Sequence, residues 1–144
     1  MSLTLAKFKM SNIVFTSSPG SNGPVIVMIG RRDTGKSILV RDLLYFHQHI
    51  PVGTVISGTE AGNGFYSQLV PKLFIHDNYD SSIVNNVLVR QRKLVKGINR
   101  DIANNKRNTT DPRTFLILDD CLYDDKWTRD ILMRQMFMNG ECLP

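Results

Sequence analysis

One segment constrains this chain more than any other. Residues 30–37 read Gly-Arg-Arg-Asp-Thr-Gly-Lys-Ser: a glycine, four variable residues, then glycine, lysine and a hydroxyl residue. Such a loop must curl tightly enough that successive backbone N–H groups converge on one anion. Glycine permits that curl, and a helix beginning at the lysine adds its positive dipole end. The loop therefore needs a strand to enter it and a helix to leave it, and the flanks supply both. Residues 25–29, Val-Ile-Val-Met-Ile, form a continuous apolar run of the kind a strand buried on both faces requires. Across 37–48, Ile38, Leu39, Leu43, Leu44 and Phe46 recur at helical spacing. A chain of this length meets the loop pattern by accident less than about once in a hundred.

Gly30, Arg31, Arg32, Asp33, Thr34, Gly35, Lys36 and Ser37 are accordingly expected to hold nucleotide phosphates. Lys36 is the residue type that bridges the β- and γ-phosphates and takes part in transfer. The Ser37 hydroxyl suits a Mg²⁺ ligand, so ATP and Mg²⁺ are the expected cofactors.

A second signal supports the first. Residues 115–120, Phe-Leu-Ile-Leu-Asp-Asp, are a buried-type strand ending in carboxylates. In a parallel sheet those acids emerge at the carboxyl edge, where phosphate loops also open. Asp119 is expected to hold Mg²⁺, and Asp120 stands where a catalytic base polarises water.

The rest of the chain alternates strands with helices. A short strand is expected over 12–16, a turn-rich linker over 17–24, and a strand over 54–57. Residues 58–63 read as a loop, 65–70 as a short helix and 72–76 as a short strand. A long helix is expected over 81–104, a polar loop over 104–112, a strand over 114–118 and a helix over 127–138. The pattern predicts an α/β fold: one domain over 1–144, a three-layer sandwich of the phosphate-loop NTPase type with a mainly parallel sheet.

With these residues in place a family resemblance is visible. Val40-Arg-Asp-Leu-Leu44 follows the loop. Val55-Ile-Ser-Gly-Thr-Glu60 comes next, with Asn63, Phe65 and Tyr66, then Pro71, Phe74, Ile75 and Tyr79. Arg90-Gln91, Leu118-Asp-Asp-Cys121, Asp125, Lys126 and Phe137-Met-Asn-Gly140 complete the series. The chain resembles the DNA-packaging ATPases of large double-stranded DNA viruses, in the poxvirus and giant-virus branch of the FtsK–HerA superfamily. The resemblance runs from about Phe8 to Gly140 and implies an ATP-hydrolysing motor. It also implies a homo-oligomeric ring, double-stranded DNA as partner, and residence in a cytoplasmic viral factory or the virion. Such ATPases continue with a sensor strand, seated between the two motif strands, and an arginine finger. Here Glu141-Cys-Leu-Pro144 follows instead, so the resemblance implies the amino-terminal part of the enzyme, with negligible turnover and poor packing on its own.

Composition agrees without deciding. The formal net charge of +5 suits a polyanionic partner, although proteins with no nucleic-acid role share it. Two cysteines, Cys121 and Cys142, offer no disulfide framework, and the amino terminus lacks a signal-peptide pattern. An intracellular protein without a membrane partner is expected. Arg90, Arg92, Lys93, Lys96 and Arg100 are candidates for DNA phosphates or for a solvated helix face. His47 and His49 read as a surface pair at a helix end, Cys121 as packing, and Glu60 and Asn63 as near the γ-phosphate or a neighbouring subunit. The rival functions are a small-molecule kinase with a lid over 90–107, a switch GTPase, which the string Asn105-Lys-Arg-Asn108 serves poorly, and an inactive nucleotide-binding fragment.

Overall fold

The computed structural model describes residues 24–31, 33–121 and 125–139. The strand expected over 12–16, most of the linker, Arg32 and Cys142 lie outside them.

A three-stranded parallel sheet, in the order β2-β1-β3, is built from β1 (Val52–Ser57), β2 (Ile75–His76) and β3 (Thr114–Asp119). β1 is central. It pairs with β2 at Val55–Ile75 and with β3 along its whole length, from Val52 opposite Thr114 to Ser57 opposite Asp119. Gly53 faces Phe115 so closely that a Cβ at 53 would enter the ring, which is why no larger residue fits there.

Alternation along the strands divides the core into two clusters, one for each sheet face. Val55, Phe115 and Ile117 pack with Tyr66, Val70 and Val40. Ile56, Leu116 and Leu118 pack with Val84, Leu88 and Met133. Those partners come from α1 (Lys36–Phe46) and the segment after β1 that holds Tyr66 and Val70 on the first face, and from α3 (Ser81–Ala103) and α5 (Ile131–Asn139) on the second. Val55 and Ile56 are both 0% exposed. Each such side chain contributes about 1.5–3 kcal/mol by leaving water.

α3 begins where Asp80 accepts a hydrogen bond from the Ser82 N–H at 2.7 Å. Val84, Leu88 and Gln91 form its buried face. The Gln91 amide donates to the Pro112 carbonyl and so ties the helix to the chain entering β3. A forked Arg113–Asp111 pair at 2.6 Å shapes the same entry.

The structure departs from the sequence expectations in several places. Residues 58–63 contain a single helical turn, α2 (Glu60–Asn63), and 65–70 a 3-10 turn at Tyr66–Gln68. The strand expected over 72–76 shrinks to β2 behind another 3-10 turn, Lys72–Phe74. The helix expected over 127–138 is broken into α4 (Lys126–Arg129) and α5. Asp130 is extended, with ψ at 127°, and its carboxylate accepts from the Leu132 N–H at 2.7 Å. That local bond offers the backbone a fresh helix start and interrupts the old helix.

The largest correction concerns 25–29, which is no strand. Val27 is 66% and Ile29 95% exposed, and the segment joins no sheet. Apolar content makes a run worth burying, but backbone N–H and C=O groups also need a ladder partner. Both edges of β1 are occupied by β2 and β3. Among the described residues the outer edge of β3 carries no partner strand. α1 shares the exposure. Its Val40 packs against the sheet cluster and Leu43 and Leu44 are half-buried, while Ile38, Leu39 and Phe46 of its expected apolar face stay exposed. The α/β class and parallel sheet therefore hold in a smaller form than the full sandwich expected.

Candidate nucleotide-binding site

The loop at 30–37 has the local conformation its glycines allow. Gly35 is left-handed, with φ at 85°, and caps α1; Asp33 is also left-handed, with φ at 62°. A Cβ at Gly30 would lie 2.8 Å from the Thr34 hydroxyl, which itself donates to the Arg31 carbonyl at 2.7 Å. The Lys36 ammonium folds back to the carbonyls of Gly30 and Arg31 at 3.0 and 2.8 Å. It thus spans the mouth of its own loop with two of its three N–H donors engaged.

No side chain caps the start of α1, whereas Asp80 caps α3. The first helical bond of α1 runs from the Leu39 N–H to the Gly35 carbonyl at 3.0 Å. The N–H groups of Lys36, Ser37 and Ile38 therefore have no acceptor within the helix, and they meet the anion-binding requirement of a helix start.

Parallel pairing brings the carboxyl ends of β1 and β3 together, and with them the acids. Asp119 closes β3, and its carbonyl accepts from the Gly58 N–H at 3.3 Å. One Asp119 carboxylate oxygen, Oδ2, accepts from the Tyr66 hydroxyl at 2.8 Å. Asp120 follows in a left-handed conformation, φ 51°, exposed to solvent. The Thr59 hydroxyl donates to its Oδ2 at 3.3 Å and accepts from the Asn63 amide at 3.4 Å.

Glu60 has a local structural role. Its buried carboxylate accepts from the N–H groups of Tyr66 and Ser67, both at 2.8 Å, and so caps a 3-10 turn. Burial first, and the bond to Asp119 second, push the Tyr66 phenol well above its ordinary value, so it stays a donor. Cys121 is buried, with its sulfur 3.4 Å from the carbonyls of Ile56 and Asp119, as a packing residue would be.

The sequence-predicted residues thus form two clusters. Hydrogen bonds join Gly30, Arg31, Thr34 and Lys36 in one, and Thr59, Asn63, Tyr66, Asp119 and Asp120 in the other. No hydrogen bond among the described residues links the two. In the sequence Thr59 and Tyr66 figure only among the residues that carry the resemblance, with no chemical role assigned to either. The available signal was topological, since a loop leaving β1 must pass beside the end of its parallel neighbour.

Ser37 and Asp119 are hard oxygen donors, the kind Mg²⁺ takes. No group of three or more His, Cys, Asp or Glu among the described residues could hold a metal alone. Ser37 lies in the first turn of α1 and Asp119 ends β3, each offering one such oxygen. His47 and His49 meet edge-to-face at 5.6 Å where α1 ends. Burial, then His49 and Arg113, lower the His47 pKa. A cleft of about 440 Å³ lined by Arg41, Leu44, His47 and Phe115 lies at that end of α1, remote from the loop. No helix among the described residues is long and apolar enough to cross a membrane.

Comparison with known proteins finds viral relatives. An uncharacterized protein of Acanthamoeba polyphaga mimivirus is 40% identical over 119 residues, covering 81% of this chain and 41% of the relative. An uncharacterized protein of Invertebrate iridescent virus 6 is 44% identical over 119 residues, 82% of this chain and 42% of the relative. One from Invertebrate iridescent virus 3 is 37% identical over 123 residues, 85% and 43% respectively. No family model matches, and no solved structure matches. The chain is similar to viral proteins and spans about two-fifths of the length of those it matches.

Proposed function

We propose that this chain is the nucleotide-binding part of an ATPase of the viral DNA-packaging type. The observation that carries the reading is the Lys36 ammonium, folded onto the Gly30 and Arg31 carbonyls beneath an uncapped helix start. A cation and converging N–H groups gathered on glycine-rich backbone suit a triphosphate. Lys36 would exchange its carbonyl partners for β- and γ-phosphate oxygens. Ser37 and Asp119 would hold Mg²⁺, which supplies charge neutralisation of the phosphates when bound. Asp120, exposed and steadied by Thr59, would take the proton of the attacking water. Similarity to proteins of large DNA viruses suits double-stranded DNA as the polymer moved, by a ring of copies in a cytoplasmic factory or virion.

The kinase reading is the less favoured, since most of its lid at 90–107 is the middle and end of α3, held by buried Gln91. The test is binding of a fluorescent ATP analogue with Mg²⁺. Lys36→Ala should weaken it about 10- to 150-fold, the loss of a charged hydrogen bond worth about 1.5–3 kcal/mol. Equal affinity of variant and parent would sink the assignment.

A further inference from the structure

We propose that Tyr66 is a positioning residue for Asp119: by holding Oδ2 it presents Oδ1 to the Mg²⁺ that accompanies a nucleotide. The inference rests on the nucleotide reading and extends it to a residue outside both motifs.

An aspartate at the end of a strand can turn about two side-chain bonds, and a metal ligand works best when that freedom is removed beforehand. Tyr66 removes it here. Its ring is 1% exposed, packed with Val55 and Val70, and edge-to-face with Phe65 at 4.9 Å. Its hydroxyl can therefore reach little besides the Asp119 carboxylate, at 2.8 Å. The ring is fixed in turn from the backbone side, where buried Glu60 accepts from the Tyr66 and Ser67 N–H groups. The chain of constraint runs from Glu60 through the 3-10 turn and the phenol to one carboxylate oxygen. Asp119 makes no other side-chain hydrogen bond among the described residues, so its second oxygen is left for a ligand. A residue serving the core alone would leave metal affinity unchanged when its hydroxyl is removed; one that aims the carboxylate would not.

Tyr66→Phe keeps the ring and deletes the hydroxyl. The readout is the Mg²⁺ concentration giving half-maximal binding of N-methylanthraniloyl-ATP to the full chain, with affinity also measured in EDTA. The Mg²⁺ midpoint should rise about tenfold, the lower end of what such supporting residues cost, while affinity in EDTA stays within about twofold. Asp119→Asn should abolish the Mg²⁺ dependence, and Tyr66→Phe added to it should change nothing further. Glu60→Gln, which weakens the grip on the turn, should shift the midpoint in the same direction by less. An unchanged midpoint in both Tyr66→Phe and Glu60→Gln would overturn the proposal. If Lys36→Ala still lost binding in that case, the nucleotide reading would stand without it. A parent that binds no analogue at all would remove both.

Discussion

Two apolar runs of similar composition meet opposite fates in this molecule. Val55 and Ile56 in β1 are completely buried, while Val27 and Ile29 lie largely in water. The difference is one of partners. β1 has a strand along each edge and a packed cluster on each face. Residues 25–29 have no ladder and little cover. The half that carries the acids is built like the interior of a domain, and the half that carries the phosphate loop is held chiefly by its own backbone. The helices repeat the contrast, since carboxylates stand at the starts of α3 and α5 while α1 begins bare at Gly35. Burial is decided by what a segment can reach, and an open helix start is where an anion can be received.

The comparison breaks most directly by truncating a side chain in each half. Ile56→Ala should cost about 2–5 kcal/mol by leaving a cavity. Ile29→Ala should change stability by less than about 0.5 kcal/mol. Urea melts of both variants measure this, and a large loss at Ile29 would mean that 25–29 is packed in solution.

DNA binding sharpens it next. Exposed cations include Arg31 and Arg41 in the loop half and Arg90, Arg92, Lys93, Lys96 and Arg100 on α3. If α3 meets the phosphate backbone, reversing Arg92 and Lys96 to Glu should lower the salt slope of DNA affinity by about 2, whereas Arg41→Glu leaves it near the parent value. An unaltered slope in the double variant would leave α3 as solvated surface.

The smallest expected effect is a pH dependence confined to the acid-bearing half. Burial acts to raise the Asp130 pKa, but hydrogen bonds from Ser81, Tyr79 and the Leu132 and Met133 N–H groups outweigh it and leave the pKa lowered. The Tyr79 hydroxyl is only 2.5 Å away. A depressed carboxylate contributes stability above its unfolded pKa of about 3.9, and that contribution is lost as pH falls through the lower folded value. Denaturation midpoints followed downward from pH 5 should therefore drop more steeply in the parent than in Asp130→Asn. Parallel curves would remove Asp130 as the cause.

How much was legible follows the same division. The parallel α/β class, β1, α3 and β3 could be read from periodicity; β1 is buried as its pattern implies and α3 along one face, while β3, expected as a buried strand, is half-buried along its whole length. The loop could be read too, since Gly35 and Lys36 adopt conformations that nearby backbone alone specifies. The break at Asp130 could not, because a polar residue inside a helical pattern does not announce whether it will bond backward or forward. The exposure of 25–29 was likewise hidden, since no apolar run states whether a neighbouring strand edge will be within reach.

By itself the sequence determined the interactions that span a few residues: the left-handed turn at Gly35, the reach of Lys36 to Gly30 and Arg31, and the acids at a strand's end. Only the tertiary structure decided what surrounds those acids. Tyr66 lies 53 positions from Asp119, and Thr59 lies 61 from Asp120. Neither pair interacts until β1 and β3 lie side by side, because hydrogen bonds act over a few ångströms of space whatever the separation along the chain.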